Sequence, residues 1–189
     1  TGQFQLNENA AYVSVTAEQG HIDFEQHFEQ PIPYNFLSAE TLIKWHENDW
    51  NLHAKNISLI SDELILDGDL SFNKTHDAPV NMSLLAKVSE GDARNAGHYY
   101  PLKIMDKSLV DYLNEAIIDG TISNATVAIN GPLDTFPYGD GSGMFIVDAD
   151  LSNSTFKFSP DWPAITEFNA NLNFTNKTMT ITGESGYLR

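Results

Sequence analysis

The stretch LILDGDLSF, residues 64–72, decides how this chain folds. Every second residue from Leu64 to Phe72 is apolar or glycine, the residues between them are mostly polar, and Ile65 alone is out of step. Residues two apart lie on the same side of a β-strand, so the segment has one apolar and one polar face. FNANLNF, residues 168–174, alternates in the same way without exception.

Weaker alternation recurs along most of the chain, between turn-forming stretches such as residues 18–20, 61–62 and 73–77. Short connections make consecutive strands antiparallel. A strand with one polar face also suits an antiparallel sheet better than a parallel sheet, in which both faces are buried. The pattern therefore predicts a mainly β fold, a curved and twisted antiparallel meander.

One segment has the period of a helix instead. Apolar residues recur three or four positions apart at Leu109, Tyr112, Leu113, Ala116 and Ile117. Asp106 or Ser108 is expected to cap the start, and Gly120 to adopt the left-handed conformation beyond the end. We expect one helix around residues 106–119, packed on the sheet.

Charge and composition exclude several classes of function. The 189 residues include 26 acidic and 10 basic side chains, a net charge of −16, which argues against binding to nucleic acid. The chain has no cysteine, so it has no disulfide and no thiolate site. No stretch approaches the run of about 18 apolar residues that spans a bilayer. We expect residues 1–189 to form one β-rich unit, an excised segment of a longer protein.

Catalytic and metal-binding candidates are weak. The pairs Asp67/Asp69 and Asp148/Asp150 share strand faces, which leaves a carbohydrate-active enzyme as an alternative. With 26 acidic residues in the chain, such pairs are expected by chance on the polar face of a strand. The six histidines are scattered, and the glycine-rich loop before Met144 leads into a strand rather than a helix. We predict no catalytic residue, no metal and no cofactor.

Glycosylation triplets of the form Asn-x-Ser/Thr are numerous. They begin at Asn56, Asn73, Asn81, Asn124, Asn153, Asn173 and Asn176. Several lie inside predicted strands, and the general richness in Asn, Ser and Thr accounts for them.

A series of motifs from about Pro101 onward makes the chain recognisable. In order, they are the helix residues Leu109, Tyr112 and Leu113, then Gly120, then Phe136-Pro137-Tyr138, then Trp162-Pro163. This series resembles the signature segment of the YhdP family, AsmA-like envelope proteins related to TamB. Tyr138 departs from the family pattern, in which phenylalanine is expected. The resemblance implies structural roles for these motif residues.

The resemblance also implies a function. YhdP proteins are anchored in the inner membrane of Gram-negative bacteria and reach across the periplasm, carrying phospholipid toward the outer membrane along a β-sheet groove. The resemblance implies no catalytic residue and no metal. It makes the predicted sheet an open groove whose apolar residues hold acyl chains, namely Leu64, Leu66, Leu70, Phe72, Met82, Leu84, Phe145, Val147, Phe156, Phe158, Phe168, Leu172 and Phe174.

The residues alone leave a second arrangement open. Two such sheets packed face to face would form a closed β-sandwich, a scaffold or partner-binding module of the envelope without lipid. The resemblance favours the open groove, with phospholipid as the partner. For the isolated fragment we expect a monomer or a dimer paired through its sheet edges.

Overall fold

The computed structural model describes residues 1–23, 25, 28–103 and 105–188. Its strands form a single ten-stranded sheet in which each strand is antiparallel to its neighbours in sequence. The strands are β1 Gly2–Leu6, β2 Ala10–Ile22, β3 Ile32–His46, β4 Asp49–Ile60, β5 Leu64–Lys74, β6 Asn81–Asp92, β7 Ile117–Pro132, β8 Met144–Phe156, β9 Ile165–Thr175 and β10 Thr178–Leu188. The antiparallel meander is confirmed. A sandwich of two sheets is wrong for the described residues.

The predicted helix exists but is shorter than expected. Helix α1 spans Lys107–Ala116, and the side chain of Asp106 caps it by accepting a hydrogen bond from the Ser108 amide at 2.8 Å. It ends early because the next residue, Ile117, already pairs with Phe156 of β8. Gly120 has a φ of +128° but lies inside β7, not directly after the helix. Two 3₁₀ helices, Ala93–Tyr99 and Leu133–Thr135, complete the described elements.

The strand register places apolar residues side by side across the sheet. Leu70 of β5 lies opposite Ala54 of β4 and Leu84 of β6. Leu84 in turn lies opposite Ile129 of β7, which pairs with Phe145 of β8. Directly paired residues point to the same side of a sheet. We call this side the apolar face and the opposite side the polar face.

Bulges keep the apolar residues on one face. Register shifts occur beside Asn56, Asn124 and Asn153, whose φ angles lie between +49° and +51°. Asparagine tolerates this left-handed region better than most residues. Each of these three begins an Asn-x-Ser/Thr triplet, and so does Asn176, with a φ of +52°. The structure therefore gives a conformational reason for the asparagine of each of these four triplets, whereas composition alone was expected to account for them.

The next strand supplies a partner for the free amide of a bulge. The Asn56 amide donates to Asp69 Oδ1 at 3.0 Å, and the Asn153 amide donates to Asn169 Oδ1 at 3.0 Å. Because each bulge inserts an extra residue on one strand, it bends that strand and increases its local twist. These polar contacts therefore stabilise the local bend that each bulge introduces.

Candidate functional site

The residues expected to hold acyl chains all contribute to the apolar face or to its edge. Most belong to one cluster: Leu70, Phe72, Met82, Leu84, Phe145, Val147, Phe156, Phe158, Phe168, Leu172 and Phe174. Leu64 and Leu66 belong to a smaller cluster with Ile32 and Leu59. Phe158 follows the end of β8, and the others lie within strands. Residues far apart in sequence are thus brought onto one surface.

Two overlapping rows of paired residues extend this surface over all ten strands. One row runs from β1 to β8 through Phe4, Val13, Thr41, Ala54, Leu70, Leu84, Ile129 and Phe145. The other runs from β5 to β10 through Gly68, Ala86, Val127, Val147, Phe174 and Met179. With strands about 4.8 Å apart, ten strands extend over roughly 43 Å. One leaflet of a bilayer contributes only about 15 Å of hydrocarbon, so the surface is longer than one acyl chain.

The apolar face is open on one part of the sheet and covered on another. On β1–β6 several large apolar side chains retain contact with solvent: Phe4 is 66% and Leu6 64% exposed, and Leu70 and Leu84 are half-buried. The exceptions on these strands are Ile32, Leu59, Leu64 and Met82, which are buried. On β7–β9 the large residues are buried, among them Ile129, Phe145, Leu151, Phe156, Phe168, Leu172 and Phe174. We call these the open part and the covered part.

Helix α1 packs into the cluster of the covered part. Its Leu113 and Ala116 are 4% and 1% exposed and lie in the same cluster as Phe156 and Phe168. The side chains of Leu109 and Tyr112 pack against this cluster and are half-buried. The helix therefore packs on the apolar face through the residues that its period predicted.

The connection between β7 and β8 adds a second group of aromatic side chains. The ring of Phe136 lies 5.6 Å from that of Tyr138 and 4.9 Å from that of Phe145, measured between centroids. The peptide bond between Phe136 and Pro137 is cis. A Cβ atom at either Gly131 or Gly143 would lie 2.7 Å from the Tyr138 ring, so glycine is required at both positions.

Two features of the motif residues were not apparent in the sequence. The Tyr138 hydroxyl is buried without a hydrogen-bond partner among the described residues, and burial raises its pKa. Trp162, by contrast, is 63% exposed and sits with exposed Pro163 in the connection between β8 and β9. The aromatic motif around Phe136 is therefore part of the packed core, and the Trp162 motif lies at the surface.

Sequence reasoning also missed a polar anchor for the first 3₁₀ helix. Glu63 Oε2 lies 3.1 Å from His98 Nδ1 and accepts a hydrogen bond from the Tyr99 hydroxyl at 3.0 Å. The Ser61 hydroxyl lies 3.4 Å from the same tyrosine oxygen. Burial, together with the nearby Glu63 carboxylate, raises the pKa of Tyr99 to about 12. These contacts fix the 3₁₀ helix to the turn between β4 and β5.

The paired carboxylates have hydrogen-bond partners on the polar face. Asn171 Nδ2 donates to both Asp148 and Asp150 at 3.1 Å, and Asn173 Nδ2 donates to Asp148 at 2.9 Å. Asp69 accepts from the Asn56 bulge. Within the described part of the chain, no group of three or more His, Asp or Glu side chains is arranged to hold a metal ion. These acids form a cross-strand polar ladder.

A polar cavity of about 480 Å³ opens where β5, β6 and β7 meet the turn after β4. Its lining includes Glu63, Asp92, Arg94 and Asp119. Arg94 pairs with Asp92 at 2.6 Å, and its hydrogen bonds lower the pKa of that carboxyl group. The cavity is therefore distinct from the apolar face in its chemistry.

Comparison with known proteins places the chain in a family. The YhdP protein family model matches residues 1–189. The chain belongs to the YhdP family. The intermembrane phospholipid transporter YhdP of Escherichia coli K12 is 31% identical over 166 residues, which make up 87% of this chain and 13% of that protein. No solved structure matches the chain.

The YhdP match confirms the resemblance drawn from the motifs and extends it. The motifs begin near Pro101, but the family model also includes the strands of the open part. The described helices are too short or too polar to cross a membrane. The chain spans about an eighth of the length of the curated relative that it matches.

Proposed function

We propose that this chain is a periplasmic segment of a bridge-type phospholipid transporter, and that its apolar face carries the acyl chains. The role is binding and conduction without catalysis. The observation that carries the proposal is the pair of apolar rows, which continue from strand to strand over the whole sheet. The similarity to the Escherichia coli intermembrane phospholipid transporter supports it.

The chemistry of the rows suits a cargo that must move. Hydrophobic contact is non-directional and depends on buried area, so an acyl chain is held about equally well at successive positions. A polar group without a partner in the row would cost several kcal/mol to desolvate and would stop the chain there. In the row from Phe4 to Phe145, Thr41 is the only residue with a polar side chain. Head groups remain at the hydrated rims of the strands.

The charge of the polar face fits a position between the two membranes. With a net charge of −16, the chain is repelled by anionic lipid surfaces and is poorly suited to dock on them. A longer protein would supply the membrane anchor, and this segment would stand in the aqueous periplasm. The acidic surface faces water while the apolar face holds lipid.

A direct test of lipid contact with the apolar face compares two adjacent leucines of β6. Leu84 lies half-buried on the apolar face, whereas Leu85 lies on the polar face and is 50% exposed. A photo-crosslinking amino acid is placed at each position in the full-length protein, and cells are irradiated. We expect phospholipid adducts, detected by mass spectrometry, at position 84 and not at position 85. Absence of adducts at position 84, or equal capture at both, contradicts the proposal.

A pair of substitutions tests the same two positions by transport. Leu84→Asn places a polar amide in the acyl path, and Leu85→Asn places the same amide on the polar face. We expect the first variant to slow phospholipid delivery to the outer membrane and the second to leave it unchanged, at matched protein levels. Equal delivery by the two variants would show that the apolar face does not carry lipid.

A further inference from the structure

We propose that one rim of the apolar face holds the phosphate of the phospholipid head group, at a site formed by Trp45, Trp50 and Lys74. We call this site the tryptophan rim. The inference rests on the proposed function and deepens it, because it fixes which way the lipid lies on the sheet. Three observations support it: the residues that the register brings together, the available charge of Lys74, and the different chemistry at the opposite end of the same strands.

The strand register places the three residues side by side on the apolar face. Trp45 of β3 pairs with Trp50 of β4, which pairs with Lys74 of β5. Along β5, Lys74 continues the period of two set by Leu70 and Phe72, so it lies on the same face as they do. All three rim residues are half-buried. They therefore form the end of the apolar face beside the turn between β3 and β4.

The side chains of the tryptophan rim are of the type that lies at the boundary between hydrocarbon and water. The indole ring has an apolar body and one N–H donor, and tryptophan is enriched at head-group level in membrane proteins. A lysine lays its aliphatic stem on apolar surface while its ammonium group reaches water. A phospholipid has the same arrangement, because its acyl chains are joined to an anionic phosphate. The tryptophan rim therefore matches the part of the lipid at which chains and phosphate meet.

Lys74 keeps positive charge available for the phosphate. Its Nζ donates a hydrogen bond to the Ala78 carbonyl, which occupies one of the three ammonium donors. Among the described residues, no carboxylate forms an ion pair with it. Two carboxylates of this end have other partners: Asp49 accepts from the His76 amide at 2.8 Å, and Asp77 lies 3.7 Å from His76 Nε2. An anionic oxygen can thus approach the remaining donors of Lys74.

The opposite end of the same strands is unsuited to a phosphate. There Ile32, Leu59 and Leu64 are buried in the smaller cluster, and Tyr99 packs against them. The polar cavity at this end is lined by five carboxylates, those of Asp62, Glu63, Glu90, Asp92 and Asp119. Its arginine, Arg94, is already paired with Asp92. Because like charges repel, an anionic head group is disfavoured here and favoured at the tryptophan rim.

The length of β5 fits this orientation. With about 3.4 Å per residue in an antiparallel strand, Leu70 lies roughly 14 Å from Lys74 and Leu66 roughly 27 Å from it. One leaflet of a bilayer contributes about 15 Å of hydrocarbon. An acyl chain whose phosphate lies at the tryptophan rim therefore runs along the strand over Phe72 and Leu70 and ends short of Leu66.

Photo-crosslinking at three positions tests the orientation. In the full-length protein in cells, a photo-crosslinking amino acid replaces Trp50 at the tryptophan rim, Leu84 in the middle of the face or Leu66 toward its other end. Fragmentation of each adduct in the mass spectrometer shows whether the new bond lies on the glycerophosphate part or on an acyl chain. We expect glycerophosphate adducts at position 50, acyl-chain adducts at position 84 and no glycerophosphate adduct at position 66.

Substitution of Lys74 tests its charge, with phospholipid capture at position 84 as the readout. Lys74→Gln removes the charge, and we expect capture to fall by about two- to fivefold, the range for a solvent-exposed ion pair. Lys74→Arg keeps the charge and should retain the capture of the unsubstituted protein. Lys87 is exposed on the polar face, so Lys87→Gln is the matched control and should leave capture unchanged.

The outcomes separate the tryptophan rim from the function on which it rests. Glycerophosphate adducts at position 66, or their absence at position 50 while position 84 captures acyl chains, overturn the tryptophan rim and leave the proposed function standing. Unchanged capture in Lys74→Gln, or the same loss in Lys74→Arg or Lys87→Gln, overturns the role of the Lys74 charge in the same way. Absence of phospholipid capture at position 84 in the otherwise unsubstituted protein contradicts the proposed function itself.

Discussion

The open and covered parts of the apolar face have the same alternating sequence pattern and different burial. Phe72 on β5 and Phe174 on β9 both lie in regular alternation, yet the first is half-buried and the second is 7% exposed. The difference arises outside the strands, because α1 and the aromatic connection around Phe136 pack on the covered part. Alternation thus decides which face is apolar, while the connections decide whether that face is accessible.

The first prediction has the largest expected effect. It compares how much a substitution in the covered part and one in the open part lower the free energy of unfolding. Phe156 is completely buried, with its ring centroid 4.8 Å from that of Phe158 and 6.1 Å from that of Phe168. Phe156→Ala should lower the free energy of unfolding by about 3–5 kcal/mol, because it removes a buried ring and leaves a cavity. Phe4, 66% exposed, is the matched control, and Phe4→Ala should change stability by less than about 0.5 kcal/mol.

Chemical denaturation of the isolated chain checks both variants. A small loss for Phe156→Ala would mean that the covered part is loosely packed in solution. A loss for Phe4→Ala comparable to that for Phe156→Ala would mean that β1 is covered as well. Either result would remove the distinction between the open and the covered part.

The second prediction tests how completely the covered part excludes water. The Tyr138 hydroxyl is buried without a hydrogen-bond partner among the described residues, which costs about 1–3 kcal/mol in a dry core. Tyr138→Phe should therefore stabilise the chain by up to that amount, as measured by thermal or denaturant unfolding. Tyr12, which is half-buried on β2, is the control, and Tyr12→Phe should leave the free energy of unfolding unchanged. Destabilisation by Tyr138→Phe would indicate that the hydroxyl is hydrated.

The fold and the apolar face were largely predictable from the sequence, because a period of two requires only neighbouring residues. Short turns then made consecutive strands antiparallel, and the motif around Phe136 indicated the family. Leu70, Leu84 and Phe145 were accordingly assigned to one surface, although their pairing also depends on the register of the strands.

Features that depend on contacts across the sheet were not predictable. The Asn124 and Asn153 triplets looked like a product of composition, because a bulge is recognised only when two strands are aligned. The end of α1 depends on the pairing of Ile117 with Phe156, which are far apart in sequence. The anchor formed by Glu63 and His98 likewise joins distant segments that carry no motif.

The third prediction concerns the bulge of the open part. Asp69→Ala removes the acceptor for the Asn56 amide and should cost about 1 kcal/mol of unfolding free energy. Asp67 is exposed and lies on the same face of the same strand, so Asp67→Ala is a matched control and should have little effect. The covered part has an equivalent contact, from the Asn153 amide to Asn169. If Asn169→Ala were much more costly than Asp69→Ala, the bulge contacts would depend on the cover.

The fourth prediction has the smallest expected effect. It tests whether α1 unfolds separately from the strands of the covered part. Hydrogen bonds from the Ser108 hydroxyl and amide lower the pKa of the Asp106 cap below its usual 3.8. A carboxyl group whose pKa is lower in the folded state stabilises that state above the unfolded pKa, and its contribution is lost as the pH falls through the folded pKa. The start of α1 should therefore fray as the pH falls below 3.8, which helical NMR chemical shifts of residues 107–110 would report.

Asp106→Asn keeps an efficient N-cap but does not titrate, so it should remove this pH response. Asp140 provides an internal comparison, since Ser142 lowers its pKa in the same way within the other connection that packs on the covered part. A change confined to residues 107–110 would show that the helix responds on its own while the strands stay paired. The same change in Asp106→Asn would mean that a group other than Asp106 titrates. A simultaneous change across β7–β9 would mean that helix and strands unfold as one unit and that α1 is a fixed part of the core.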